Sequence, residues 1–363
     1  MIIKIFLFWR IGLFIITFLG SLALPKIDNG ALGSVGPGKE FNYWASWAQW
    51  DGGHYHQIAR QGYMFLSDYA FFPLYPILIR LSKPLFFGDI LITGLIIANI
   101  SFFLFLYIFY HYLKNKFGQK TTVSTISTFL TFPTAFFAVA YYSESIFLLL
   151  AITAFYFLNK KRFLLASLAV SFASLTRLVG ASLIISVVYC YLSTVNLNLK
   201  KLDRNLLHVS VAAFGFAAYV IFLFAKLNDP FKFLTSQISW ERSITDPIST
   251  IISYFWAIAT GEFRPVNDYF DLSLTVLFLT VLILGIKKIP SSMWIFSMLV
   301  ILIPSSTGTL TSMPRYLLSS LGAFIVIGKF LEGKPRLKIA VWSISLIVQS
   351  ILAVRFINGH WVA

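Results

Sequence analysis

Four short stretches of this sequence hold side chains whose types and spacing suit chemistry. Trp50-Asp51-Gly52-Gly53-His54-Tyr55 sets a carboxylate among aromatic residues, with an imidazole and a phenol one helical turn further on. Tyr141-Tyr142-Ser143-Glu144-Ser145 sets a second carboxylate between two apolar runs. Arg177, in Thr176-Arg177-Leu178-Val179-Gly180, and Arg315, in Met313-Pro314-Arg315-Tyr316, are cations at the margins of apolar segments. A carboxylate can take the proton of an attacking hydroxyl. Two guanidinium groups can hold a phosphate through forked hydrogen bonds.

Each of these residues also has a plain structural role to weigh. Asp51 can cap a helix that begins near His54, although His54 stands where a capping box would carry Glu or Gln. Glu144 can be an acid at a helix N-terminus, favoured by the macrodipole. Arg177 can pair with an outer acid such as Glu144, yet a cation at membrane depth costs roughly 2.5–3.5 kcal/mol and is a functional candidate by default. Arg315 can be an interface anchor. His54 and His56 are two residues apart and fall on different helical faces. Asp51 and Asp68 could share a metal only by tertiary approach. No Asp-x-Asp occurs, and no Cys/His metal spacing is present, so neither a metal nor another cofactor is expected.

The elements that position these residues are membrane helices. The chain is 58% hydrophobic and 12% charged, against roughly 25% charged in ordinary globular domains. Its 14 acids and net charge of +15 do not indicate nucleic acid, because the basic residues lie in short clusters between apolar runs. Cys190 is the single cysteine, so no intrachain disulfide forms. Apolar runs near 5–24, 88–113, 121–142, 145–158, 163–176, 179–195, 205–225, 271–286, 293–305, 316–331 and 339–356 give about eleven transmembrane helices. The expected fold is an all-α polytopic membrane bundle, one integral domain over 1–363. A signal peptide ending near Ser21-Leu22-Ala23 is the alternative for the first run. Arg10 is expected to snorkel to the inner interface beside Trp9.

Every second gap is basic: Lys114, Lys116 and Lys120; Lys160, Lys161 and Arg162; Lys200, Lys201 and Arg204; Lys287 and Lys288; Lys334, Arg336 and Lys338. These gaps are therefore cytoplasmic. All acids except Asp203 and Glu332 then fall on the other side. That side carries two long segments, 25–87 and 226–270, and long loops in compact proteins are usually functional. Trp44, Trp47 and Trp50 recur at spacing three, which predicts an interfacial helix over 41–62 with a break at Gly52-Gly53 and an end at Gly62. The Pro-broken stretch 71–81 is too short to span and is expected to be re-entrant or interfacial.

At these residues the chain resembles the PIG-V family, the second mannosyltransferase of GPI-anchor assembly, together with its bacterial relatives. The specific part is Trp50-Asp51-x-x-x-Tyr55-x-x-Ile58-Ala59-x-x-Gly62-Tyr63 followed by Ala70-Phe71-Phe72-Pro73-Leu74-Tyr75-Pro76. Ser143-Glu144-Ser145, Thr176-Arg177-x-x-Gly180, and Asp229-Pro230 with Phe233 and Trp240 are weaker matches. Eukaryotic members resemble Arg-Ser-Asn-Gly where this chain has Arg177-Leu178-Val179-Gly180, which separates it from the eukaryotic acceptor. The lone sequon, Asn99-Ile100-Ser101, lies within a span and leans toward a bacterial plasma membrane. The resemblance implies a GT-C glycosyltransferase that takes mannose from a polyprenyl-phosphate sugar, inverting at carbon 1, for a glycan, lipid or protein acceptor. It implies Asp51 as base and Arg177 and Arg315 as phosphate ligands, with His54, Tyr55 and Glu144 against the substrate. The alternative is a transporter or flippase of a lipid-linked sugar, a class that favours paired halves and helices broken at midplane.

The alternation of basic gaps predicts that positions 118 and 288 face the cytoplasm and positions 51 and 240 the opposite side. Single cysteines at these positions, in a chain lacking Cys190, are to be labelled on intact cells with a membrane-impermeant reagent. Labelling at 51 and 240 is expected, with none at 118 or 288.

Overall fold

The computed structural model describes residues 1–36, 39–262 and 265–362. Sixteen α-helices occur among them, and the single β-bridge joins Gly36 to Lys39. In chain order the helices are α1 (Ile2–Ala23), α2 (Asp51–Gln61), α3 (Leu74–Ser82), α4 (Ile90–Thr131), α5 (Glu144–Asn159), α6 (Phe163–Ser174), α7 (Ser182–Thr194) and α8 (Asn205–Ser210). There follow α9 (Phe214–Leu227), α10 (Lys232–Thr235), α11 (Pro247–Ala259), α12 (Val266–Leu284), α13 (Ser291–Ser305), α14 (Met313–Leu317), α15 (Leu321–Leu331) and α16 (Pro335–Ile357). Five stretches, namely α1, α4, Asn205–Leu227, α12 and α16, are long and apolar enough to cross a membrane. Six further apolar helices are 10–17 residues long.

Helix breaks fall where the sequence gives a local reason. Gly118 in α4 has φ 81 and divides that helix into two helical pieces. The second piece ends at Thr131, and Ala135–Val139 continues as a 3-10 turn. The apolar run 121–142 is therefore not one helix: Pro133 lacks the amide that a continuing helix needs. The run 316–331 is likewise divided between α14 and α15. The second long segment, expected as loop over 226–270, contains the apolar helix α11, which starts at a good cap: Asp246 accepts from the Ser249 N–H at 2.7 Å, with Pro247 next.

The chain divides into two compact units. The first comprises residues 1–68, 73–149 and 328–362. In it α1, α4 and α16 pack together. Gln349 of α16, which is buried, ties them: its side-chain amide donates to the Leu130 carbonyl at 2.9 Å and the Phe132 carbonyl at 2.6 Å, and accepts from Trp9 Nε1 at 3.1 Å. Both carbonyls lie where α4 ends, and the Phe132 carbonyl also accepts from the Ala135 N–H at 2.9 Å. An apolar environment makes such groups expensive without a partner.

Residues 43–47 run antiparallel along α1 toward its middle. Tyr43 bonds Thr17 at 2.7 Å, the Trp44 ring stacks on Phe14, and the Trp47 ring lies under Arg10 at 5.3 Å. Arg10 therefore does not snorkel to the inner interface. Its Nε donates to Asn99 of α4 at 2.9 Å. The three tryptophans do not share one interfacial face either. Trp47 is buried and Trp44 is half exposed, because Ala45–Ala48 is a 3-10 turn rather than an α-helix.

The second unit comprises residues 69–72 and 150–327. Here α6 packs on α7 and α9, and α13 packs on α7, α11, α12 and α14. Phe71 and Phe72 belong to it. The Phe71 ring meets Trp240 at 5.7 Å, and Phe72 meets Tyr219 at 4.7 Å and Phe233 at 5.8 Å. The Tyr69 carbonyl accepts from the Tyr219 hydroxyl at 2.8 Å. The aromatic residues that pattern the two long segments are thus core partners of one another.

Gln349→Leu should strand the Leu130 carbonyl and the Trp9 indole N–H and remove one of two donors to the Phe132 carbonyl, lowering stability by about 2–4 kcal/mol. Ser343→Ala, on an exposed face of the same helix, should change it by less than about 0.5 kcal/mol. Thermal unfolding of both variants in the same detergent measures the difference.

Candidate active site

Asp51 is the first residue of α2. It is not the cap of a helix starting at His54, since Trp50 takes the cap position and no side chain caps this end. The break sits at Trp50, with φ 54 and ψ −119, rather than at Gly52-Gly53. Gly52 has a different task. A Cβ there would stand 3.2 Å from the Tyr141 carbonyl oxygen and 3.3 Å from Ala48 Cβ, so the glycine permits close approach of backbone. Gly62, with φ 87, ends α2 as expected, and the Arg80 guanidinium closes it by donating to the Ala59 and Ile58 carbonyls at 2.9 and 3.0 Å.

The segment 140–144 clasps this turn. The Tyr141 N–H donates to the Trp47 carbonyl at 3.0 Å, and the Tyr142 hydroxyl donates to the Gln49 carbonyl at 2.7 Å. Tyr55 and Ser143 share a hydrogen bond of 2.8 Å, and the Tyr55 ring meets Tyr75 edge-on at 5.3 Å. Tyr75 in turn donates to the Gly94 carbonyl at 3.0 Å. Glu144 follows directly as the first residue of α5 and is 2% exposed. In this way the first unit brings Asp51, His54, Tyr55 and Glu144 into one neighbourhood. An acid in the first turn of α2 or α5 also sits in the favourable field of the helix dipole.

Behind His54 lies Asp68, with no exposed side-chain surface. The two are 3.2 Å apart, Nδ1 to Oδ1. The other carboxylate oxygen of Asp68 accepts from the Met64 and Phe65 amides at 3.0 and 2.9 Å. Burial pushes this carboxyl up. The hydrogen bonds from His54 and from those two amides outweigh burial and hold it below the usual carboxylate range. His56 looks elsewhere, its ring 5.9 Å from Tyr141. Burial, then Arg60, pushes its pKa down, with Asp89 opposing.

In the second unit Arg177 and Arg315 are brought together by an aromatic ring. The Tyr316 ring has the guanidinium carbons of Arg177, Arg315 and Arg242 at 5.3, 5.7 and 5.9 Å from its centroid. Arg315 is 5% exposed, so it is a buried cation and not an interface anchor. Arg242 donates to the Tyr316 hydroxyl at 3.1 Å and to the Thr311 carbonyl at 3.0 Å. The local folds explain the placement. Arg177 is an extended residue between α6 and the 3-10 turn Leu178–Ala181. Gly180 abuts the Ala173 carbonyl, where a Cβ would come within 2.3 Å. Ser312, with φ 73, turns the chain into α14 and its Arg315. Buried Asp271 of α12 accepts from the Ser312 amide.

Arg242 was not singled out by sequence as a binding group, and Asp68 was weighed only as a metal partner of Asp51 or a substitute base, not as the partner of His54. Arg242 stands in a polar stretch, Glu241-Arg242-Ser243, where a charge needs no explanation. Asp68 looks like an ordinary turn acid, which it also is.

Solved structures share this fold. Two solved structures similar to the chain are ArnT from Cupriavidus metallidurans bound to undecaprenyl phosphate and the same protein in the apo state. The first has a TM-score of 0.54 at 13% identity over 95% of this chain and 63% of that one. The second has 0.54 at 16% identity over 94% and 61%. The chain thus spans less than two thirds of the length of either. No curated protein matches it. The sequence model of the mannosyltransferase (PIG-V) family matches residues 5–350, and the chain belongs to that family.

Among the described residues no group of three or more His, Cys, Asp or Glu is arranged to hold a metal ion. With arginines to meet anionic charge, sugar transfer is expected to persist in EDTA. Loss on chelation, restored by magnesium or manganese, would show a metal bound by the acids.

Proposed function

We propose that this protein is a membrane glycosyltransferase that moves mannose from a polyprenyl-phosphate donor to an acceptor hydroxyl on the extracytoplasmic face. The observation that carries the reading is the gathering of three arginines on Tyr316. Family membership and the undecaprenyl phosphate bound by a protein of similar fold support the donor class.

In the proposed reaction the acceptor oxygen attacks carbon 1 of the sugar and a carbon–oxygen bond forms there. The bond from carbon 1 to the phosphate oxygen breaks, with inversion. Asp51 takes the hydroxyl proton. The polyprenyl phosphate leaves with its negative charge, which Arg177, Arg242 and Arg315 stabilise as it develops. A phosphate monoester carries less charge than a diphosphate, so guanidinium groups suffice. Glu144 and Tyr55 bind sugar or acceptor hydroxyls. The lipid tail runs between helices, among membrane lipids.

Purified protein with labelled polyprenyl-phosphate mannose and candidate acceptors tests this. Asp51→Asn keeps size and should lower turnover by roughly 10²–10⁴-fold while donor binding persists. Arg242→Ala should weaken donor binding about tenfold or more. Asp51→Asn turning over at the parent rate would remove Asp51 from the chemistry, leaving Asp68, Asp89 and Glu144 as the acids to examine.

A further inference from the structure

The pair of His54 and Asp68 has no part in the reaction as written above. Asp68 is fully buried at the side chain, and its three hydrogen bonds fix it: two from the amides of Met64 and Phe65, one with His54 Nδ1 at 3.2 Å. An acceptor held by two N–H donors cannot reorient without breaking both. The imidazole partner is one-third exposed, so the pair has a buried end and an open end.

His54 is three residues after Asp51 on α2. Side chains at that spacing lie over one another, roughly 5–6 Å apart at Cβ. A carboxylate acceptor on Nδ1 places the ring proton there and leaves Nε2 as the basic nitrogen. The hydrogen bonds that keep the Asp68 carboxyl ionised make the opposite tautomer unfavourable. The charged groups nearest the imidazole on its own helix are Asp51 before it and Arg60 toward the far end. Arg80 of α3 is committed to the carbonyls that end α2.

We propose that His54, its tautomer fixed by Asp68, is a proton relay for Asp51. This rests on the reading of Asp51 as base. The acceptor O–H bond breaks and its proton joins the Asp51 carboxylate. The Asp51 O–H bond then breaks, and the proton joins His54 Nε2 directly or through one water. The imidazolium so formed faces the Asp68 carboxylate, then gives the proton to solvent at the exposed end. No electron pair leaves the cycle, and Asp51 is restored as a carboxylate. His54 is thereby a catalytic relay, and Asp68 is a positioning residue that acts through it.

The test uses full-length protein in detergent, in four forms: parent, Asp51→Asn, His54→Ala and Asp68→Asn. Turnover, KM for the lipid donor and thermal stability are measured on the same preparations. His54→Ala should lose roughly 10²-fold in turnover with donor KM unchanged, and added imidazole should restore part of the rate. In parent protein labelled with ¹⁵N-histidine, the His54 resonances, assigned by their absence in His54→Ala, should show the proton on Nδ1. Asp68→Asn, whose amide can donate to Nδ1, should move it to Nε2 and lower turnover. The parent spectrum does not depend on how well the Asp68 variant folds. A parent with the proton on Nε2, full turnover in His54→Ala, or a loss that imidazole does not rescue overturns the relay. If Asp51→Asn remains inactive in those cases, the proposed reaction stands without it. Parent-rate turnover in Asp51→Asn overturns both.

Discussion

The clasp between residues 47–52 and 140–144 is the interaction on which the first unit's site depends. A chain that descends along α1 in an apolar surrounding, and then turns, exposes carbonyls that no helix pairs. The Tyr141 amide closes the Trp47 carbonyl and the Tyr142 hydroxyl closes the Gln49 carbonyl. Without such partners each buried polar group costs on the order of 1–3 kcal/mol. The clasp therefore does two things at once. It makes the turn at Trp50 tolerable, and it brings Ser143 and Glu144 beside the helix that begins with Asp51. Gly94 completes the packing, since a Cβ there would overlap the Tyr141 ring.

The same logic recurs at the four charged candidates Asp51, Glu144, Arg177 and Arg315, each of which stands at or near a helix break. Asp51 follows Trp50 at positive φ, Arg177 is the extended residue after α6, Arg315 follows Ser312 at positive φ, and Glu144 opens α5 after a 3-10 turn. Positive φ at a non-glycine residue costs about 1–3 kcal/mol and persists only where surroundings enforce it. A continuous helix points its side chains sideways and satisfies its own backbone. A broken one can aim a charged group along the axis and leave terminal amides or carbonyls for partners. In a bundle of apolar helices, breaks are where chemistry can be placed.

This pattern also explains what the sequence made legible. Asp51, Glu144, Arg177 and Arg315 are charges at the margins of apolar runs, so their rarity drew attention. The helical class followed from run length and composition. The break at Gly52-Gly53 was a reasonable expectation from glycine's freedom, but Gly52 serves close packing, Gly53 faces open space, and a tryptophan carries the unusual φ. Equal tryptophan spacing suggested one face, because spacing alone does not distinguish a 3-10 turn from an α-helix. Arg242 and the pairing of Asp68 with His54 stayed hidden because they arise from partners distant in sequence: Tyr316 is 74 residues from Arg242, and His54 is 14 from Asp68.

The arginine cluster shows how an aromatic ring can hold like charges together at the proposed phosphate site. Each pair of like charges within a cluster of this size repels by about 1.5–3 kcal/mol at an effective dielectric constant near 20. A cation–π contact returns roughly 0.5–2 kcal/mol per guanidinium, so the ring offsets much of that repulsion. Such a contact uses the π-face of the ring, and the donors of Arg242 go to the Tyr316 hydroxyl and the Thr311 carbonyl. Tyr316 adds its hydroxyl, which accepts from Arg242 and fixes that side chain before any ligand arrives. Binding then costs less ordering of long, flexible side chains, which is the physical content of preorganisation.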